Sequence, residues 1–258
     1  MKPLLIVKTG STFAELVPQM GDFEDWICRT TANIPRPVVT WDAQRQPSLP
    51  DPLAFAGMVI TGSHAMVTDQ APWSEALVPW LRHVVALERP VLGICYGHQL
   101  LAHALGGEVS FHPAGTEIGT TSITTTAEAA LDPLFGALPP SFAAHTVHSQ
   151  SVVRLPKAAV LLAHNDFEPH HAFRVGACAW GVQFHPEFDA AAMQGYIRQM
   201  AAPLSAQGLD PVALWERVRP TPEAQALLTR FCQQLAAHSP CPGQPFSAAT
   251  TPTGAGSV

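Results

Sequence analysis

Long apolar runs are missing from this chain. None approaches the roughly 20 residues of a membrane-spanning helix, the densest being Ala158–Ala163. A secretory leader is missing too. Only Leu4, Leu5, Ile6 and Val7 lie between the first residues and Lys8, short of the about 7–15 apolar residues such a leader needs. The expected location is therefore cytoplasmic. Positive charge is scarce: 14 Lys and Arg stand against 20 Asp and Glu, a net charge of −6. That excludes a general nucleic-acid binder, and it excludes an anionic membrane surface as partner. The five cysteines, at 28, 95, 178, 232 and 241, form no Cys-x-x-Cys pair and are odd in number. They make neither a disulfide framework nor a standard zinc spacing, so each needs its own explanation. No Gly-x-x-x-x-Gly-Lys-Ser/Thr phosphate loop occurs. No cofactor is expected.

What is present is a globular chain. Apolar residues make up 47% of the 258 and charged residues only 13%, which excludes disorder by composition. The length suits one large domain, or one domain with an appendage.

Short apolar runs at Leu4–Lys8, Pro37–Trp41, Met58–Thr61 and Pro90–Ile94 read as strands. Between them, Phe23–Arg29 places Phe23, Trp26 and Ile27 on one helical face, and Ala71–Leu87 carries a stripe through Leu77, Trp80, Leu81, Val84 and Val85. His98–Leu105 reads as a helix stopped by Gly106-Gly107. Strand and helix alternating at these intervals predict an α/β fold with a mainly parallel sheet. After Gly107 the pattern turns to strands, at Glu108–Phe111, Ile118–Thr124, His145–His148, Val160–Ala163, Ala172–Val175 and Cys178–Phe184. These predict a β-rich edge on that sheet. Helix returns at Asp189–Met200, with Asp189 as N-cap, and from Pro211 to His238 with a break expected at Pro220 and Pro222. The Pro-, Ser-, Thr- and Gly-rich segment from Ser239 predicts a disordered tail. Three regions follow: a domain over 1–200, a helical extension packed on it over 201–238, and the tail 239–258.

The sharpest local feature is Val91-Leu92-Gly93-Ile94-Cys95-Tyr96-Gly97-His98-Gln99. A buried strand runs straight into a helix, with Cys95 at the junction between two glycines. That is the pattern of a nucleophile elbow. The carboxyl edge of an α/β sheet is where such proteins place their sites. A helix N-terminus there favours a thiolate and offers free N–H groups to an oxyanion. A free cysteine is more commonly a small core residue, but paired glycines around a core residue have no purpose. Such a nucleophile needs a base held by a third group. Trp180-Gly181-Val182-Gln183-Phe184-His185-Pro186-Glu187 supplies both. If the strand runs on to His185, Glu187 falls on the same side of the extended chain and can accept from His185 Nδ1.

Cys95 in its glycine-flanked elbow followed by His185-Pro186-Glu187 resembles the class I, triad-type glutamine amidotransferases. It is similar to free-standing proteins like the amidotransferase domain of GMP synthase. The resemblance covers about residues 1–200. It implies a flavodoxin-like sheet with helices on both faces, and hydrolysis of the glutamine γ-amide through a γ-glutamyl thioester. It implies Cys95 as nucleophile, His185 as base and Glu187 as its orienting group. The N–H groups of Tyr96 and Gly62 would form the oxyanion hole, and Gln99 matches a glutamine that contacts substrate. Ser149, Gln150 and Ser151 occupy a loop that holds the substrate's α-amino end, where related domains carry an Asp. The neutral loop predicts slow glutaminase activity and cleavage of some γ-glutamyl amide or peptide.

The expected substrate is thus glutamine or a γ-glutamyl compound, with a separate ammonia-accepting synthetase subunit as a possible partner. The alternatives are a γ-glutamyl peptide hydrolase with the same triad, or a non-catalytic regulatory relative. No metal site is expected: His164, Asp166, Glu168, His170 and His171 are metal-ligand types, but their spacing fits no zinc pattern and reads as a solvated loop.

Overall fold

The computed structural model describes residues 1–46 and 48–237. The expected tail 239–258 and Cys241 lie outside the described residues. The chain opens with β1 (Leu4–Lys8), α1 (Val17–Met20), α2 (Phe23–Thr30), β2 (Val38–Asp42) and β3 (Gly57–Ile60). Next come α3 (Pro72–Ala86), β4 (Val91–Ile94) and α4 (Tyr96–Ala104). The strand-rich part holds β5 (Glu108–Phe111), β6 (Glu117–Thr125), β7 (Ser141–His148), β8 (Gln150–Arg154), β9 (Ala159–His164), β10 (Ala172–Val175) and β11 (Ala179–Val182). Four helices close the chain: α5 (Ala190–Gln199), α6 (Ala201–Ala206), α7 (Pro211–Glu216) and α8 (Pro222–Ala237).

Nine strands form one sheet in the order β2-β1-β3-β4-β11-β10-β9-β6-β7. The first five run parallel, and the pairings from β11 to β10 onward are antiparallel. This is the mainly parallel sheet with a β-rich edge that the element order predicts. Alternation along each strand divides the core in two. Leu4, Ile6, Val59, Leu92, Ile94, Trp180 and Val182 face a layer that includes Ile27 of α2 and Leu227, Leu228, Phe231 and Leu235 of α8. Leu5, Val7, Met58, Ile60 and Val91 face Leu77, Leu81 and Val84 of α3 and Leu100 and Leu101 of α4. Helices therefore cover both faces, as parallel strands buried on two sides require.

The segment read as one helix from Pro211 to His238 is two, α7 and α8, separated by Arg217–Thr221. Pro220 lacks an N–H and disfavours helix in the residue before it, while Pro222 fits the first turn of α8. Gln150 and Ser151, read as loop, lie on β8, which pairs antiparallel with β5 in a small second sheet. Their short polar side chains hid a strand whose partner is remote in sequence. The strand expected over Cys178–Phe184 ends at Val182, because Gln183 N–H donates to His171 O (2.8 Å) and His185 N–H to His145 O (2.8 Å). The chain has left the parallel ladder before it reaches His185.

Candidate active site

Cys95 is the last residue before α4 and has φ 49° and ψ −100°. A non-glycine residue there costs on the order of 1–3 kcal/mol and persists only when its surroundings over-determine it. They do. Cys95 N–H donates to Val182 O across β11 (2.9 Å), and Cys95 O accepts from Gln99 N–H in the first turn of α4 (3.1 Å). The flanking glycines are steric necessities. A Cβ on Gly93 would lie 2.4 Å from Gly97 O, and one on Gly97 would lie 2.6 Å from Ile60 O. Only bare backbone lets α4 start this close to β3 and β4.

His185 and Glu187 meet through a turn, which corrects the extended-strand geometry read from the sequence. Phe188 N–H reaches back to His185 O (3.3 Å), with Pro186 and Glu187 at the centre of the turn. Proline's fixed φ suits the second position of such a turn. His185 Nδ1–H donates to Glu187 Oε1 at 2.8 Å. Both side chains are almost wholly buried. His185 Nε2 makes no hydrogen bond and is left for the Cys95 sulfur. Phe188 tilts against the imidazole with centroids 4.2 Å apart, and Phe23 stacks at 6.3 Å. Burial opposes charging of His185, but the Glu187 carboxylate and the Cys95 sulfur on its two sides favour it. The balance raises its pKa from 6.5 to about 10. A proton therefore rests on His185 at neutral pH. The charge is felt nearby: burial, then His185, pushes His145 down to about 4 and lowers His64.

Gly62 follows β3. Thr9 Oγ1 donates to Thr61 O (2.9 Å) and Gly62 O (3.1 Å), and Thr9 N–H donates to Thr61 Oγ1 (3.0 Å). These bonds lock the loop after β3 to the end of β1. Because the two ends of a trans peptide point oppositely, the Gly62 N–H faces away from Thr9. A Cβ at Gly62 would sit 3.1 Å from His185 Cε1. Tyr96 is the first residue of α4, where backbone N–H groups have no intrahelical acceptor. Its side chain is buried elsewhere, bonded to Ser74 Oγ at 2.6 Å.

A cavity of about 240 Å³ opens above Cys95, lined by Cys95, His185, Gln99, Ser149 and Gln150 among others. Ser151 is not on its wall; it is buried on β8. Gln99 Nε2 donates to Gln150 O (2.8 Å) and Gln183 Oε1 (3.0 Å), so Gln99 braces the loop that borders the cavity. The wall also includes Phe13, His64, Met66, Val147, Tyr196 and Met200, which the sequence did not single out. Phe13 and Met200 lie in loops and Tyr196 on α5, so only folding gathers them. No Lys, Arg, Asp or Glu lines the cavity among the described residues.

One expectation reverses. Glu168 and His171, read as solvated loop, are fully buried, and they lie with Glu117 and His148 beside the cavity. Asn165 Oδ1 accepts from Phe167 and Glu168 N–H (2.9 and 2.6 Å), which folds the loop inward.

Comparison with known proteins agrees with this geometry. A family model described as glutamine amidotransferase class-I matches residues 20–201. The chain is 33% identical over 190 residues to a glutamine-hydrolyzing GMP synthase of Aeropyrum pernix, covering 71% of this chain and 32% of that protein. It is 32% identical over 142 residues to gamma-glutamyl peptidase 5 of Arabidopsis thaliana, covering 52% of this chain and 55% of that one. The chain thus spans about a third to just over half of these relatives. A glutamine amidotransferase crystal structure from Thermotoga maritima superposes with TM-score 0.74 at 21% identity, over 92% of this chain and all of that one. No helix among the described residues is long and apolar enough to cross a membrane.

Proposed function

This chain belongs to the class I glutamine amidotransferase family, and from that premise we propose that it hydrolyses the γ-amide of glutamine through a thioester on Cys95. The observation that carries the reading is the buried line from Cys95 through His185 to Glu187, with His185 charged at neutral pH. The Cys95 thiolate attacks the γ-carbonyl carbon. The resulting oxyanion is held by the N–H groups of Tyr96 and Gly62. His185 gives its Nε2 proton to the departing nitrogen, the C–N bond breaks, and ammonia leaves. Water then attacks the thioester while His185 takes its proton, and glutamate is released with the free thiolate. Glu187 holds the imidazole in orientation and stabilises its charge.

Gln99, Ser149 and Gln150 are the residues proposed to border the substrate; Ser151 acts at most through β8. A second reading has a specific observation behind it. A cavity free of carboxylate and ammonium groups offers a free amino acid no charge-assisted contact, while its apolar wall suits a substituent on the amide nitrogen. A γ-glutamyl amide or peptide is then cleaved by the same steps. If the ammonia is used in synthesis, the acceptor is a separate synthetase subunit, since this chain contains no phosphate loop. The cytosol remains the proposed location. Parallel assays of ammonia release from glutamine and glutamate release from γ-glutamyl amides test the reading. Turnover of neither, by protein whose Cys95 still alkylates, would leave the non-catalytic alternative.

A further inference from the structure

Three buried side chains outside the triad converge from distant parts of the chain. Glu117 starts β6, His148 ends β7, and His171 immediately precedes β10. One donor atom from each lies within 4.8 Å of the others. Glu117 Oε2 stands 3.0 Å from His148 Nε2 and 3.2 Å from His171 Nε2. Ligands about 2.0–2.2 Å from a tetrahedral metal are themselves about 3.3–3.6 Å apart, so small shifts seat an ion among them. We propose that Glu117, His148 and His171 form a buried divalent-metal site, with Zn²⁺ the metal that this donor set favours.

The state of the neighbouring atoms supports a missing third centre. His171 is fully buried, yet neither of its ring nitrogens has a hydrogen-bond partner, although Nε2 faces Glu117. Glu168 Oε2 is also buried and unpartnered, 4.0 Å from His148 Nδ1. Two carboxylates, Glu117 and Glu168, thus lie inside the protein with only histidines as basic partners among the described residues. One divalent cation with neutral imidazoles balances both charges. The outer contacts are those a metal site needs. His148 Nδ1–H donates to Gln150 O (2.9 Å), and Asn165 Nδ2 donates to Glu117 Oε1 (2.7 Å). His148 also borders the cavity, which gives the ion an access path. The ion would tie β6, β7 and the loop before β10 together beneath Val147–Gln150, and so fix one wall of the substrate site. Two imidazoles, one carboxylate and no thiolate suit zinc better than calcium or magnesium.

The test uses full-length Cys95→Ala protein, so that the triad thiolate cannot bind metal, stripped by chelator and titrated with Zn²⁺ and Co²⁺. The expected result is one equivalent bound, with the melting temperature raised by about 5–10 °C at a hundredfold excess over Kd. Adding His171→Gln or Glu117→Gln should weaken binding by about 100-fold or more. X-ray absorption of the bound Zn²⁺ should show two imidazoles, oxygen and no sulfur, a readout that needs no cluster variant to fold. Absence of a thermal shift and of bound metal in Cys95→Ala would overturn the proposal. So would binding that survives both added substitutions, or a coordination shell without two imidazoles. The cluster would then be a network balanced by protons alone.

Discussion

Cys95, His185 and Glu187 carry different weights in the proposed reaction. Cys95→Ala should lower turnover by at least about 10³-fold, because the covalent step has no other nucleophile. It should leave the far-UV circular dichroism unchanged, and substantial residual hydrolysis would displace Cys95 from its role. Glu187→Gln should cost less in turnover and should also move a titration. The Glu187 carboxylate is what most favours the charged form of His185, so its loss lowers the imidazole pKa from about 10. The alkaline limit of kcat/KM should then shift to lower pH. The same shift links to folding. A pKa raised from 6.5 to about 10 contributes stability that is complete below 6.5 and lost as pH rises through about 10. The melting temperature should therefore fall more between pH 7 and 10 in the wild type than in Glu187→Gln. Equal slopes would show that the carboxylate does not hold the proton on His185.

At the scale of elements, the site depends on how closely α4 approaches the sheet. Gly97→Ala places a methyl against Ile60 O and Cβ, with backbone on one side and a β-branched residue on the other. Overpacking of that kind typically costs about 1–3 kcal/mol, and here it also displaces the first turn of α4, where Tyr96 N–H awaits the oxyanion. The expected result is a lower denaturant midpoint and a fall in kcat. A drop in stability with kcat unchanged would argue that α4 does not position the donor. The C-terminal helix belongs to the same structure. Leu227, Leu228, Phe231 and Leu235 of α8 are buried against the sheet, and Trp180 of β11 meets Phe231 at 6.1 Å. Phe231→Ala should cost about 3–5 kcal/mol in chemical denaturation. A loss under 1 kcal/mol would mean that α8 is a detachable extension. We propose that residues 201–237 complete the unit formed by 1–200.

For the whole molecule, the cavity decides which substrate is accepted. Its wall offers Phe13, Met66, Val147, Tyr196 and Met200 and no formal carboxylate or ammonium partner. The isolated protein should turn over glutamine slowly, and kcat/KM should rise for γ-glutamyl amides whose nitrogen carries an apolar group. Steady-state rates across such a series measure this. High activity on glutamine with none on substituted amides would refute the preference and favour delivery of ammonia to a separate synthetase.

How much was legible from residues alone follows from the range of the forces involved. The parallel strands and α2, α3 and α5 could be read because buried strands and amphipathic helices leave local periodic patterns. The elbow at Cys95 could be read because a steric demand for glycine falls on adjacent positions. His185 and Glu187 could be paired because two residues and a proline separate few conformations. The turn at 185–188 was still misread, since only contacts to His145 and His171 draw the chain out of the ladder there. β8 was missed because its partner β5 is some forty residues away, and the break between α7 and α8 was blurred by neighbouring prolines. The cluster of Glu117, His148 and His171 left no linear signal. Strand order brings it together, and the burial that makes its charges costly exists only in the folded protein.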